Sequence, residues 1–197
     1  MFKNKGQLIF RFFVAQLMIF FFFSGFQVAL NSQELDPDFF KQLKYRHIGI
    51  PGNRVSAVHG IPGNPNVYYA GSPAGGILKT IDGGINWTPI FDDQKVPFIG
   101  SLAVAASDSN IVWAGTGEIW FRNNNKYLPI GNGAYKSTDA GKTWTHAGLE
   151  KTGRIGRIVI DPQDPDIVFA AAMGHCFGPQ EERGVFRTMD GGKTWKR

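Results

Sequence analysis

Beyond residue 45 the apolar positions fall in short runs broken by Gly, Pro, Asn or Asp. The runs are rich in β-branched and aromatic residues, as in Asn66-Val-Tyr-Tyr-Ala70 and Asp166-Ile-Val-Phe-Ala170. Runs of this kind, bounded by turn formers, predict strands. No stretch sustains a helical apolar period over about 11 residues, so helices are not predicted there. The first four strands are expected at about 54–60, 66–72, 76–81 and 86–91.

The pattern then repeats. Ser/Thr-x-Asp-x-Gly-x-x-Trp occurs at Thr80–Trp87, Ser137–Trp144 and Thr188–Trp195, with its Asp residues 57 and then 51 positions apart. An upstream element recurs as Asn66–Ala70, Asn110–Ala114 and Asp166–Ala170. A third precedes it as Val55–Val58, Ser101–Val104 and Arg157–Ile160. Units of about 50 residues and four strands predict the blades of an all-β propeller with antiparallel sheets. The blades are expected at about 45–97, 98–152 and 153–197. Gly supplies 23 of the 165 residues after Ser32, twice the usual ~7%, as many tight turns require. The third repeat stops at Lys196-Arg197, so its last strand is expected to be missing. That predicts the N-terminal part of a longer propeller, whose remaining blades would be partners of these three.

The first 32 residues are different. They hold nine of the 17 Phe, the bases Lys3, Lys5 and Arg11, and no acid. A basic start, an apolar Phe12–Phe23 and a small or polar 24–32 read as a signal peptide, and hence export. An uncleaved anchor is the alternative and the only membrane contact foreseen. Residues 33–44 then form a linker or short helix. The chain's net charge of +5 comes mainly from the leader. Without it, 18 bases face 16 acids in no cluster, which excludes nucleic acid as a partner. The single cysteine, Cys176, excludes an internal disulfide framework and a four-Cys zinc site.

In each repeated motif the Asp can accept hydrogen bonds from N–H groups of its own turn. Gly84, Gly141 and Gly192 allow the positive φ such a turn needs. Trp87, Trp144 and Trp195 are expected to pack beneath it. Three identical positions fit a joint that every blade needs, so Asp82, Asp139 and Asp190 are read as structural. A calcium loop would need several acids at alternate positions. No metal and no cofactor are predicted.

Candidate binding chemistry lies elsewhere. With strands in order A to D, the A–B and C–D turns share one face and the B–C and D–A loops the other. The B–C loop is short in blade one, Ser72-Pro73-Ala74, and long in blades two (Gly117–Asn132) and three (Met173–Arg183). Rigid scaffolds carry binding residues on such loops. The candidates are Glu118, Trp120 and Arg122, with Tyr127 nearby, and His175. Aromatics among Asn, Glu and Arg suit a glycan, a peptide or a protein surface. Glu118, Trp120 and His175 are expected to converge near the central channel.

The repeated motif, with Tyr or Trp and Ala-Gly ahead of it, resembles the Asp-box, or bacterial neuraminidase repeat, family. Its relatives include the sortilin N-terminal domain, photosystem assembly-factor propellers and xyloglucan-hydrolysing propellers. The resemblance covers about residues 45–197 and implies the propeller fold. A carbohydrate-active hydrolase is the alternative function it implies. The hydrolases carry a catalytic Asp in a pattern like Y-A-R-T-D-I-G-G. The corresponding run, Tyr69-Ala-Gly-Ser-Pro73-Ala-Gly-Gly76, has Pro73 at that place. Sialidases open with Phe/Tyr-Arg-Ile-Pro, whereas this chain has Tyr45-Arg46-His47-Ile48. Neither catalytic pattern is complete, so no catalytic residue is assigned.

Overall fold

The computed structural model describes residues 54–119, 129–175 and 178–197. The leader, the 33–44 segment, Arg46, Trp120, Arg122, Tyr127 and Cys176 lie outside the described residues. Blade one is the antiparallel sheet β1 (Ala57–Ile61), β2 (Asn64–Gly71), β3 (Ile77–Thr80) and β4 (Thr88–Pro89). Blade two is β5 (Ile99–Val104), β6 (Val112–Thr116), β7 (Ala134–Ser137) and β8 (Thr145–His146). Blade three holds β9 (Ile155–Ile160), β10 (Val168–Ala172) and β11 (Gly184–Thr188). One short 3-10 turn, Glu150–Thr152, leads into β9. Among the described residues no helix is long and apolar enough to cross a membrane.

The third sheet has three strands, as expected, and a single bridge follows them: Lys196 pairs with Arg187 through two backbone bonds of 2.7 and 2.9 Å. Two details depart from the sequence reading. The first strands align differently. Val58 pairs with Ala70 as Leu102 does with Ala114 and Ile158 with Ala170. Ser101 therefore matches Ala57 and not Val55, because pairing to β2 sets the register and similar apolar spacing two residues earlier is misleading. Asn86 lies in the turn before β4, where its amide donates to Asp82 Oδ2 at 2.7 Å.

Period-2 alternation gives each sheet two faces, and the blades stack through them. Tyr69, Ile77 and Phe91 of blade one form a core with Leu102, Ala114 and Tyr135 of blade two. Ala103 and Trp113, on the other face of blade two, form a second core with Ile158 and Ala170 of blade three. The cross-strand rows His59–Tyr69–Lys79, Ala103–Trp113–Lys136 and Val159–Phe169–Arg187 are equivalent. The first two meet the next blade. In the third, Val159 and Phe169 are exposed.

Candidate functional site

The structure has two kinds of special position, repeated joints and unrepeated loops. At the second joint, Ser137 Oγ accepts the Gly141 N–H (2.8 Å) and donates to Asp139 Oδ1 (2.8 Å). Asp139 Oδ1 also accepts the Thr143 N–H at 2.8 Å, and Oδ2 accepts the Thr143 hydroxyl at 2.6 Å. The first and third joints repeat this, with Asn86 and Thr194 in the place of Thr143. The turn's N–H groups are thus shared between the Asp and the opening Ser or Thr, whose role the sequence reading missed. These hydrogen bonds favour the ionised carboxylate. Bonds from the Asn86 backbone and side chain hold Asp82 down at about 2. The Thr143 hydroxyl, then its N–H, holds Asp139 at about 2, and the Thr194 pair lowers Asp190 further still.

The joint also locks adjacent turns and adjacent blades. The N–H after each Asp donates to a carbonyl at the start of the second strand or just ahead of it: Gly83 to Asn66, Ala140 to Asn110 and Gly191 to Asp166. Trp144 Nε1 donates to Ile90 O and Trp195 Nε1 to Ala147 O, both in the preceding blade, at 2.8 Å. Trp87 bonds its own Gly84 O at 3.0 Å. The Trp is therefore a clamp across the seam as well as a cover for its turn. Across the same seam Tyr69 Oη and Lys79 Nζ both donate to Ala140 O, at 3.1 and 2.8 Å. Burial pushes the Tyr69 phenol up to about 12, so it stays a donor. Gly141, at φ 86°, sits so close to this seam that a Cβ would stand 2.6 Å from Ile90 Cδ1.

The unrepeated chemistry gathers where the long loops leave the sheets. Glu118 follows β6 and is 4% exposed, the sole buried carboxylate among the described residues. Its Oε1 takes a 2.7 Å ion pair with Arg54 of blade one, whose side chain is 41% exposed. No hydrogen bond reaches Oε2 from the described residues. The loop returns at Pro129, whose carbonyl accepts the Glu118 N–H at 3.1 Å. Arg154, just ahead of β9 and buried, donates Nε–H to Glu118 O at 2.9 Å and an Nη1 hydrogen to Gly174 O at 3.1 Å. His175 is exposed at the start of the blade-three loop. Gln180 bonds its backbone N–H and C=O (2.8 and 3.0 Å), and Arg183 donates to its carbonyl at 2.8 Å. One buried guanidinium thus brings the backbones at Glu118 and Gly174, beside His175, together. Trp120 and Arg122 fall on the undescribed part of the same loop. Arg54 and Arg154 escaped the sequence reading, although both stand three residues ahead of matched positions, Ala57 and Arg157.

The blade-one loop is closed. Ser72 N–H donates to Gly76 O at 2.9 Å, and Pro73 is buried beneath this turn. No acid occupies residues 72–76. A separate cleft of about 530 Å³ borders the third Asp box, lined by Lys136, Thr145, His146, Glu150 and Lys193 among others. Among the described residues no three His, Cys, Asp or Glu gather as a metal site.

The BNR/Asp-box repeat model matches residues 135–146, the second joint with its flanking strands. The chain carries an Asp-box repeat, and its fold is similar to that of propeller proteins. This Asp-box chain is 28% identical over 148 residues to a xyloglucanase of Paenibacillus sp, covering 67% of itself and 13% of that relative. It therefore spans about an eighth of that relative's length. Its fold matches an ancestral GH74 enzyme with a TM-score of 0.58 at 22% identity, over 76% of this chain and 19% of that one. A GH74 enzyme of Niastella koreensis matches with a TM-score of 0.53 at 27% identity, over 72% of this chain and 22% of that one.

Proposed function

We propose that this Asp-box chain is an exported module that binds a glycan on its long-loop face, with Glu118 as the polar anchor. The observation that carries this reading is the buried Glu118 carboxylate, held on one oxygen by Arg54 at 2.7 Å. A buried charge is costly unless paired, and here the pairing fixes a carboxylate at the root of a long loop. A carboxylate's second oxygen can accept a sugar hydroxyl, and the partly exposed guanidinium of Arg54 supplies donors beside it. In the sequence Trp120 follows two residues on, and an indole is the kind of flat apolar surface a sugar ring needs. Kinship with a xyloglucanase favours a glycan over a peptide, and export follows from the leader-like first 32 residues.

The test is calorimetric titration of the full chain with a xyloglucan oligosaccharide. Glu118→Gln keeps the shape and removes the charge, and is expected to weaken binding at least tenfold, about 1.4 kcal/mol. Unchanged affinity in Glu118→Gln would remove the anchor from this reading.

The second reading is a glycoside hydrolase, favoured by the same relative. Such hydrolysis takes two carboxylates flanking the bond. Release of reducing sugar from xyloglucan by this chain, abolished in Glu118→Gln, would establish it over binding alone.

A further inference from the structure

Arg54 and Arg154 occupy the same repeat position, three residues ahead of Ala57 in β1 and of Arg157 in β9, two residues that are themselves matched through their β2 and β10 partners. Blade two has Phe98 there. The two arginines reach Glu118 from opposite sides of blade two. Arg54 takes its carboxylate, and Arg154 takes its backbone carbonyl. Arg154 then extends to Gly174 O in the other long loop.

A guanidinium 2% exposed is expensive to bury, and its hydrogen bonds must offset that cost. Two of those bonds go to loop carbonyls instead of to a strand ladder. The backbone of Arg154 is engaged on the same two loops. Its carbonyl accepts the Met173 N–H at 2.8 Å. Its Cα and Cγ lie so close to Gly117 that a Cβ there would stand 2.8 and 2.9 Å away, and Gly117 has φ 100°. Gly131 N–H donates to Gly153 O at 2.8 Å, which ties in the return of the blade-two loop. The departing and returning ends of one loop and the start of the other thus meet at Gly153–Arg154.

We infer that Arg154 is a positioning residue that couples the blade-two and blade-three loops, so that Glu118 and His175 are set as one unit and a disturbance of either loop reaches the other. The coupling itself is independent of any ligand; its consequence for glycan affinity rests on the function proposed above.

The experiment is hydrogen–deuterium exchange on the full chain, with no ligand. Gln180→Ala removes one of the two side chains that hold His175, leaving Arg183, and lies outside every strand. It is expected to speed exchange at Gly174–His175 and also, severalfold, at Gly117–Ile119 across the seam. With Arg154→Lys in place, which keeps the charge but loses the forked donor, the Gln180→Ala effect is expected to stay within the blade-three loop. Gly117–Ile119 exchange unchanged by Gln180→Ala overturns the coupling, as does transmission that survives Arg154→Lys. Titration with a xyloglucan oligosaccharide is a second arm. Transmitted exchange without any binding would leave the coupling standing and sink the glycan reading.

Discussion

Replacing Ser137 with Ala tests how the joint carries load. Ser137 is 1% exposed, and its hydroxyl accepts the buried Gly141 N–H at 2.8 Å and the Asp139 N–H at 3.3 Å. No other acceptor takes the Gly141 N–H, so the variant leaves a buried donor unpaired. Such a group costs about 1–3 kcal/mol. For a chain of this size each kcal/mol moves the melting temperature by roughly 2–4 °C, so a mid-range loss of about 2 kcal/mol predicts a fall of roughly 4–8 °C. The other two repeats supply the control, because Thr80 and Thr188 make the same bonds. Ser137→Thr should therefore melt within about a degree of the parent, since the hydroxyl is kept. Circular dichroism melts of the three chains decide the matter. An Ala variant as stable as the parent would refute the assignment of that N–H to the hydroxyl. A Thr variant as damaged as Ala would show that packing, not the hydrogen bond, is at stake.

Two further predictions concern the same turns. Ala140 stands at φ 58° where the other joints have Gly83 and Gly191; an L-residue there costs about 1–2 kcal/mol, offset by the chain entropy of Gly, so Ala140→Gly should stabilise by up to about 1 kcal/mol in urea unfolding. Asp82 and Asp139 are held at about 2, below the ordinary 3.8, so the unfolded chain takes up their protons first as pH falls. Their contribution is complete above about pH 4 and disappears toward pH 2. The urea midpoint should fall across that window, and less steeply in Thr143→Val, which lacks the hydroxyl most responsible at Asp139; an equal slope in both chains would contradict that cause.

The fold was legible because it is said three times. Alternation, turn formers and the Asp-box motif each recur, so the order of strands could be read from one repeat and checked on the next. What repetition could not fix was register. Val55–Val58 looks like Ser101–Val104, yet pairing with Ala70 shifts the match by two residues. The clamp role of the Trp was hidden for a related reason: its acceptors, Ile90 O and Ala147 O, belong to the blade before, and nothing local in the sequence points there.

The candidate site follows the opposite logic. Glu118 was visible as an acid on a long loop, and His175 likewise. Their supports were not, because an arginine next to a strand reads as an exposed cation until the neighbouring blade is known. In Arg154 that expectation fails, since closing the sheet against blade two buries the guanidinium and leaves loop carbonyls as acceptors. The positions that repeat in all three blades build the joints and seams, whereas Glu118 and His175 lie on long loops and the blade-one loop is closed over Pro73. Repetition makes equivalent seams, two among these three blades, and one site requires that equivalence to be broken. In these blades it is broken by loop length, and by the arginines that blades one and three place on either side of Phe98.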